Sequence, residues 1–387
     1  MVSAGPEDVT VPDGLRQDVG AAADGEAWLR RLPALVDRAR TRWGLRLDAP
    51  FPSGRAAWTA PARTRDGEDA VVKIVFPHAE AAGEAAALRA WTGTGAAAEL
   101  LDHDGEAWTL LLRRCRPGHG LEEDRALREQ RVEGRLQLAG ELLGQLHAAG
   151  LPASTATGVA VVPAQPGDAV EPDESSLAIM LGLANGAVML GQPGGTAPGD
   201  ATGAVMPGEP GAAVEPCGTA IAHLATTAAA NAELLRERTH RHAATLEADP
   251  GLLGEAAGLL EDLPGTASRT VLLHGDYNPG NLLADDDGAR RRWVTIDPKP
   301  ALGDPAFDPW PLLSQVGEPF AEDNPGGVLR VRLRALCAAA GLEPDRVAAW
   351  SMARACESAL WRMAVGGDRD GALEELAQAR TWARLAG

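Results

Sequence analysis

The sequence predicts an α+β fold, and three observations carry that reading. Its first third mixes short apolar runs of strand length with helical stretches. Its second half carries long segments in which Leu and Ala recur at helical spacing. Between those helical segments, Val271 to Ile296 reads as strand, turn and strand.

Taken in order, residues 1–20 show no sustained period and read as a mobile leader. Glu26 to Trp43 follows as an amphipathic helix with Leu29, Leu32, Leu35 and Val36 on one side. Ala70 to Val75 is an apolar strand interrupted by Lys73, the Ala-rich run PHAEAAGEAAALRAW is helical, and further strands extend to about Leu112. Arg131 to Ala149 places Leu136, Leu138, Leu142, Leu143 and Leu146 at helical spacing; His147, at its end, reads as a capping or packing residue rather than a catalyst. Residues 152–216 are rich in Gly, Ala and Pro. Such a composition buries too little apolar surface to offset ordering, so a flexible insert is expected, with a short helix only at Leu177 to Leu190. Helices at Ala220 to Leu246, Leu252 to Asp262, Val328 to Ala340, Arg346 to Ala364 and Asp370 to Ala386 complete the chain.

The segment VLLHGDYNPGNLLADDDGARRRWVTIDPKPALGD, residues 271–304, holds the chemistry. Val271 to Leu273 anchors a loop, Leu282 and Leu283 continue as a strand, Asp285, Asp286, Asp287 and Gly288 supply the turn, and Trp293 to Ile296 return. A hairpin of this kind brings Asn281 and Asp297 to the same end. An amide oxygen beside a carboxylate suits Mg2+, which prefers oxygen ligands and keeps waters and substrate phosphates as the rest of its shell. Asp276 is then placed to accept a hydroxyl proton. His274, Asp276, Asn281 and Asp297 together read as the catalytic loop and metal aspartate of a kinase.

Lysine usage is an independent signal. Of 36 Lys plus Arg, only Lys73 and Lys299 are lysine. A chain that uses Arg almost everywhere has kept Lys where a compact, flexible ammonium is needed. Lys73 on its apolar strand matches the lysine that contacts nucleotide phosphates and pairs with a helix glutamate, for which Glu84 is favoured over Glu80. Lys299, two residues past Asp297, either touches phosphate or balances carboxylates.

The segments VVKIVFPHAEAAGEAAALRAW, LLLRRCRPGHGLEED, LLGQLHAAGLP, LLHGDYNPGNLL, VTIDPKPALGDPAFDPWPLL and DRVAAWSMARACESALW, in this order, resemble the aminoglycoside phosphotransferase family. They are most similar to its streptomycin 6-phosphotransferase and hydroxyurea phosphotransferase branch, and the resemblance spans about 300 of the 387 residues. It implies a bilobal, protein-kinase-like fold with a small antiparallel-sheet N-lobe and a mostly helical C-lobe. It also implies transfer of the ATP γ-phosphoryl group to a small-molecule hydroxyl. Asp276 would then be the catalytic base, Asn281 and Asp297 the Mg2+ ligands, and Lys73 with Glu84 the phosphate-contacting pair. Arg113 to Gly118 would form the hinge whose main chain, at Arg114 and Cys115, meets adenine. The segment Phe51 to Trp58 is unlike a Gly-rich nucleotide loop, having one glycine: either Ser53, Gly54 and Arg55 cradle phosphate or the segment is a plain surface turn. The expected organisation is a leader (1–20), N-lobe (21–116), hinge and first C-lobe helix (117–151), insert (152–216) and C-lobe (217–387).

Two positions depart from the family pattern: Asn278 stands where His is common, and Arg113 where an acidic residue is common. A net charge of −18 argues against a nucleic-acid partner and suits a cationic small molecule, although acidity also serves solubility. Acidic groups that could meet such an acceptor are Asp304, Asp308 and Glu357. Asp304 and Asp308 could instead hold the catalytic loop through its N–H groups, and Glu357 could face the core. No stretch of 18 apolar residues and no signal-peptide pattern occurs, so a cytoplasmic protein off the membrane is expected. Its four scattered cysteines are expected to be reduced thiols. Streptomycin is the acceptor the resemblance implies, with hydroxyurea, another aminoglycoside or an amino sugar as alternatives. A non-catalytic kinase-like binding protein is the other class.

Overall fold

A computed structural model describes residues 9–52, 54–151, 160–161, 220–286 and 291–387. The expected insert and its short helix therefore lie, but for residues 160–161, outside the described residues. The N-terminal lobe is built on five antiparallel strands: β1 (Arg46–Leu47), β2 (Ala57–Arg63), β3 (Asp69–Val75), β4 (Leu100–Asp104) and β5 (Thr109–Arg113). Their order across the sheet is β1-β2-β3-β5-β4.

Alternation along β3 decides what faces where. Ala70, Val72 and Ile74 enter a core formed with the helices α1 (Asp13–Gly20) and α2 (Gly25–Trp43), where they meet Leu15, Val19, Trp28, Leu32 and Val36. Burying residues such as Val72 and Ile74 stabilises the lobe by about 1.5–3 kcal/mol each. The intervening positions, Lys73 among them, must point to the opposite face. On that face sits α3 (Glu84–Ala90), whose alanines pack closely under the sheet.

Helix α1 corrects one expectation. Residues 13–20 are not part of a leader: Leu15 and Val19, four apart on one face, are fully buried and seal the edge of this core. Two apolar residues in eight make a weak period, which is why the sequence did not display it.

From Pro117 the chain enters the second lobe. Strand β6 (Pro117–Gly120) pairs with the hairpin β10 (Leu282–Asp286) and β11 (Arg291–Thr295). Between them lie α4 (Arg125–Arg128), α5 (Val132–Ala148), β7 (Ala160–Val161), β8 (Ala220–His223), α6 (Leu224–His242), α7 (Pro250–Gly265) and β9 (Val271–Leu273). Strand β12 (Ala301–Gly303) and helices α8 (Trp310–Gln315), α9 (Pro325–Ala340), α10 (Pro344–Trp361) and α11 (Arg369–Ala386) follow. The central element is α10, buried on all sides from Val347 to Leu360 as its nearly continuous apolar and small residues allow. Helix α5 approaches α9 closely, because any side chain at Gly140 would lie 2.6 Å from the Leu336 carbonyl oxygen.

Candidate active site

Lys73 reaches the cleft from β3 and is almost fully buried there. Its Nζ donates to both carboxylate oxygens of Glu84 at 2.7 Å and to Oδ1 of Asp297 at 2.6 Å. Glu84, at the first turn of α3, is thus the glutamate the lysine meets, while Glu80 lies in the preceding 3-10 turn. Burial pushes the Glu84 carboxyl up to about 7, an effect Lys73 offsets only in part. For Lys73 burial acts downward, but two carboxylates in contact outweigh it and keep the ammonium charged.

The loop after β9 is held from beneath. Asp308, fully buried, accepts the His274 N–H at 3.0 Å and the Gly275 N–H at 2.8 Å, and its Oδ2 meets Nε2 of the buried His147 at 2.8 Å. Gly275 has φ +79°, and a Cβ there would stand 1.8 Å from the Lys299 carbonyl oxygen, so only glycine fits. The His274 ring stacks on Trp91 at 6.1 Å and packs edge-on to Tyr277, whose hydroxyl donates to the Ala139 carbonyl at 2.6 Å. Its Nε2 donates to the Ile296 carbonyl at 3.1 Å and its Nδ1 accepts the Asp276 N–H at 3.3 Å, a pairing that requires neutral imidazole. Burial lowers its pKa in the same sense.

Asn278 explains a departure noted above. Its Oδ1 accepts the Gly280 and Asn281 N–H groups at 2.9 and 3.2 Å, while its Nδ2 donates to Asp276 Oδ1 at 2.8 Å. The residue in place of histidine therefore caps the turn and orients the carboxylate. Asn281 gives its Nδ2 to the Asp276 carbonyl at 2.9 Å, which makes its amide oxygen the group available to a cation. Its own carbonyl accepts the Ile296 N–H at 3.0 Å, bringing Asp297 alongside.

Asp297 has φ +56°, a left-handed conformation that Asp tolerates better than most residues. Its side chain is half exposed. Burial works upward on its carboxyl, but Lys73 and Lys299 outweigh it and hold the group below the ordinary carboxylate value. An ionised carboxylate and an amide oxygen fit a hard divalent cation. Among the described residues there is no group of three or more His, Cys, Asp or Glu placed to hold a metal.

The expected nucleotide contacts are only partly described. Ser53 lies outside the described residues. Gly54 is required, since a Cβ would lie 2.3 Å from the Ala57 carbonyl oxygen, and Arg55 is tied to Asp18 of α1 at 2.6 Å. The Arg114 guanidinium lies over the Phe51 ring, and Cys115, partly buried, has its thiol pushed up to about 11 by burial. Asp285 was expected in the turn of the hairpin. Instead it sits fully buried on β10 and accepts bonds from Arg113 Nη2 at 2.6 Å, Arg292 Nη2 at 2.7 Å and the Arg116 N–H at 3.2 Å. Arg113, acidic in the family pattern, is thereby explained as its partner from the other lobe.

Two substrate candidates are corrected. Asp304 is buried; its Oδ1 caps the following turn and its Oδ2 is taken by Arg346 and Trp350, both at 2.6 Å. Glu357 faces the core, paired with Arg238 at 3.1 Å and pushed up to about 7 by burial. Neither carboxylate is free for an acceptor. Asp308 is the one that holds the loop.

Two lobes, a buried Lys-Glu pair and a loop-hairpin constellation at their junction define a protein-kinase-like phosphotransferase of small molecules. Residues 216–366 match the family model described as aminoglycoside/hydroxyurea antibiotic resistance kinase. The chain is 30% identical over 376 residues to the streptomycin 6-kinase of Streptomyces glaucescens, covering 96% of this chain and 97% of that relative. It is 27% identical over 347 residues to the hydroxyurea phosphotransferase of Kitasatospora aureofaciens, covering 90% and 77%. In fold it is similar to the crystal structure of a choline/ethanolamine kinase family protein from Mesorhizobium loti, with a TM-score of 0.50, 15% identity and 91% and 99% coverage. The chain belongs to the aminoglycoside/hydroxyurea antibiotic resistance kinase family.

Proposed function

We propose that this enzyme transfers the γ-phosphoryl group of ATP to a hydroxyl of a small, cationic acceptor, with the 6-hydroxyl of streptomycin as the first choice. The observation that carries the reading is the meeting of Lys73, Glu84 and Asp297 within 2.7 Å, beside Asp276 and Asn281. Lys73 steadies the nucleotide phosphates and Asp276 accepts the acceptor proton. Asn281 and Asp297 hold Mg2+, which when bound neutralises phosphate charge. The main chain near Arg114 and Cys115 receives adenine. The net charge of −18 favours capture of a guanidinium- or amine-bearing molecule. Among the described residues no helix is long and apolar enough to cross a membrane, and a cytoplasmic location is part of the proposal.

The test is ADP release measured across streptomycin, hydroxyurea, other aminoglycosides and amino sugars. Streptomycin should give the highest kcat/KM; turnover confined to hydroxyurea would move the acceptor, and binding without turnover of any acceptor would sink the reading. Asp297→Ala should weaken Mg-ATP at least about tenfold, roughly 1.4 kcal/mol. Calorimetric titration with and without Mg2+ checks this: wild type should show a metal-dependent affinity that the variant lacks.

A further inference from the structure

Lys299 is the one lysine the reaction above does not use, and its surroundings are unusual. Its backbone is fixed, because its N–H donates to the His274 carbonyl at 2.8 Å and its own carbonyl crowds Gly275. The Nζ lies 3.4 Å from Asp276 Oδ2 and 3.8 Å from Glu80 Oε2, between the two lobes. It is shielded from solvent, yet neither this Nζ nor the Glu80 Oε2 forms a hydrogen bond. The ammonium is ion-paired with both carboxylates, but at distances longer than the 2.7–2.9 Å or so of a charge-assisted hydrogen bond, which leaves its N–H groups for a closer acceptor. Lys73 is the contrast, with three carboxylate oxygens within 2.7 Å.

The partner follows from the geometry of Asp276. Its Oδ1 is occupied by Asn278 at 2.8 Å, which leaves Oδ2 as the proton acceptor, and Oδ2 is the oxygen Lys299 faces. We propose that Lys299 is a second phosphate-contacting cation, donating to the transferred phosphoryl group as it passes to the acceptor oxygen beside Asp276. This rests on the phosphotransferase reading above. In that step the acceptor oxygen forms a bond to the γ-phosphorus, the bond to the bridging oxygen breaks, and its electron pair leaves on ADP. The hydroxyl proton goes to Asp276 Oδ2, and Lys299 stays protonated throughout. Lys73 then serves the phosphates that remain with ADP, and Lys299 the one that moves. A group aimed at the moving phosphoryl raises kcat rather than ground-state affinity.

The test uses the full chain and Lys299→Met, which keeps the stem, beside Lys299→Arg, which keeps the charge. Binding of MgADP is measured with and without aluminium fluoride, which mimics the phosphoryl in flight, together with kcat on the best acceptor. Lys299→Met should bind MgADP within about threefold of wild type, lose the tightening by aluminium fluoride, and turn over about 100-fold more slowly. Lys299→Arg should retain part of the tightening, a result that a merely packing role would not separate from Met, whereas a merely charge-balancing role would leave the tightening intact in both. Wild-type tightening and kcat within about threefold in Lys299→Met would overturn the proposal. A wild-type protein that binds no MgADP would instead overturn the phosphotransferase reading, and this inference with it.

Discussion

Asp276→Ala should lower kcat about 10³-fold while leaving the Kd for Mg-ATP within about threefold of wild type. The asymmetry follows from position. Lys73, Glu84 and Asp297 form a contact set that does not include Asp276, and the Asp276 carboxylate is oriented by Asn278 and faces Lys299. What is lost is the proton acceptor, together with the buried anion opposite Lys299. Removing that anion relieves no clash and opens only a small space, so nucleotide affinity has little reason to change. Single-turnover kinetics with labelled ATP, read beside calorimetric affinity, separates the two quantities. Equal losses in both would mean that Asp276 builds the nucleotide site rather than the chemistry.

Asp308→Ala should be the most destabilising single change at the site, by about 3–5 kcal/mol. The carboxylate is fully buried and serves the His274 N–H, the Gly275 N–H and His147 together. Its removal leaves two backbone donors and a histidine without their acceptor under the catalytic loop. For a protein of this size the melting temperature should fall by roughly 5 °C. Burial works upward on the Asp308 carboxyl, but His147 and the His274 backbone N–H bond outweigh it and hold the group below its ordinary value. The sign is therefore fixed: this contribution is complete above about pH 4 and is lost as pH falls through the still lower folded-state value. Denaturant titrations between pH 3 and pH 7 should show the gap between wild type and variant closing at the acid end. A constant gap, or a melting point within 2 °C of wild type, would refute the role.

The reacting constellation was legible because its members are close in sequence or chemically conspicuous. Asp276, Asn281 and Asp297 lie within about twenty residues on one loop and hairpin, and Lys73 stands out as one of two lysines. Glu84 followed from the apolar stretch it opens. Asp304, Asp285 and Glu357 are not legible from local pattern for one reason: their partners are remote. Arg346 and Trp350 come from a helix more than forty residues on, Arg113 from the other lobe, and Arg238 from a helix 119 residues away. Local pattern shows that a carboxylate exists, but not which cation will claim it. Asn278 lay between these cases, since Asn before Pro marks a turn but gives no hint that the same amide also steers Asp276.

One consequence of the β10–β11 hairpin concerns scale. Its base carries Asn281 and Asp297, while four residues along β10 Asp285 is latched to Arg113 and Arg116 where the lobes join. At about 3.3 Å per residue, the strand sets these ends roughly 13 Å apart. A strand paired along its whole length with β11 neither stretches nor shortens, so the hairpin acts as a gauge, fixing the span between the inter-lobe joint and the oxygen ligands independently of how the lobes tilt. A one-residue insertion in β10 would leave every named side chain in the protein and still put the two ends out of register.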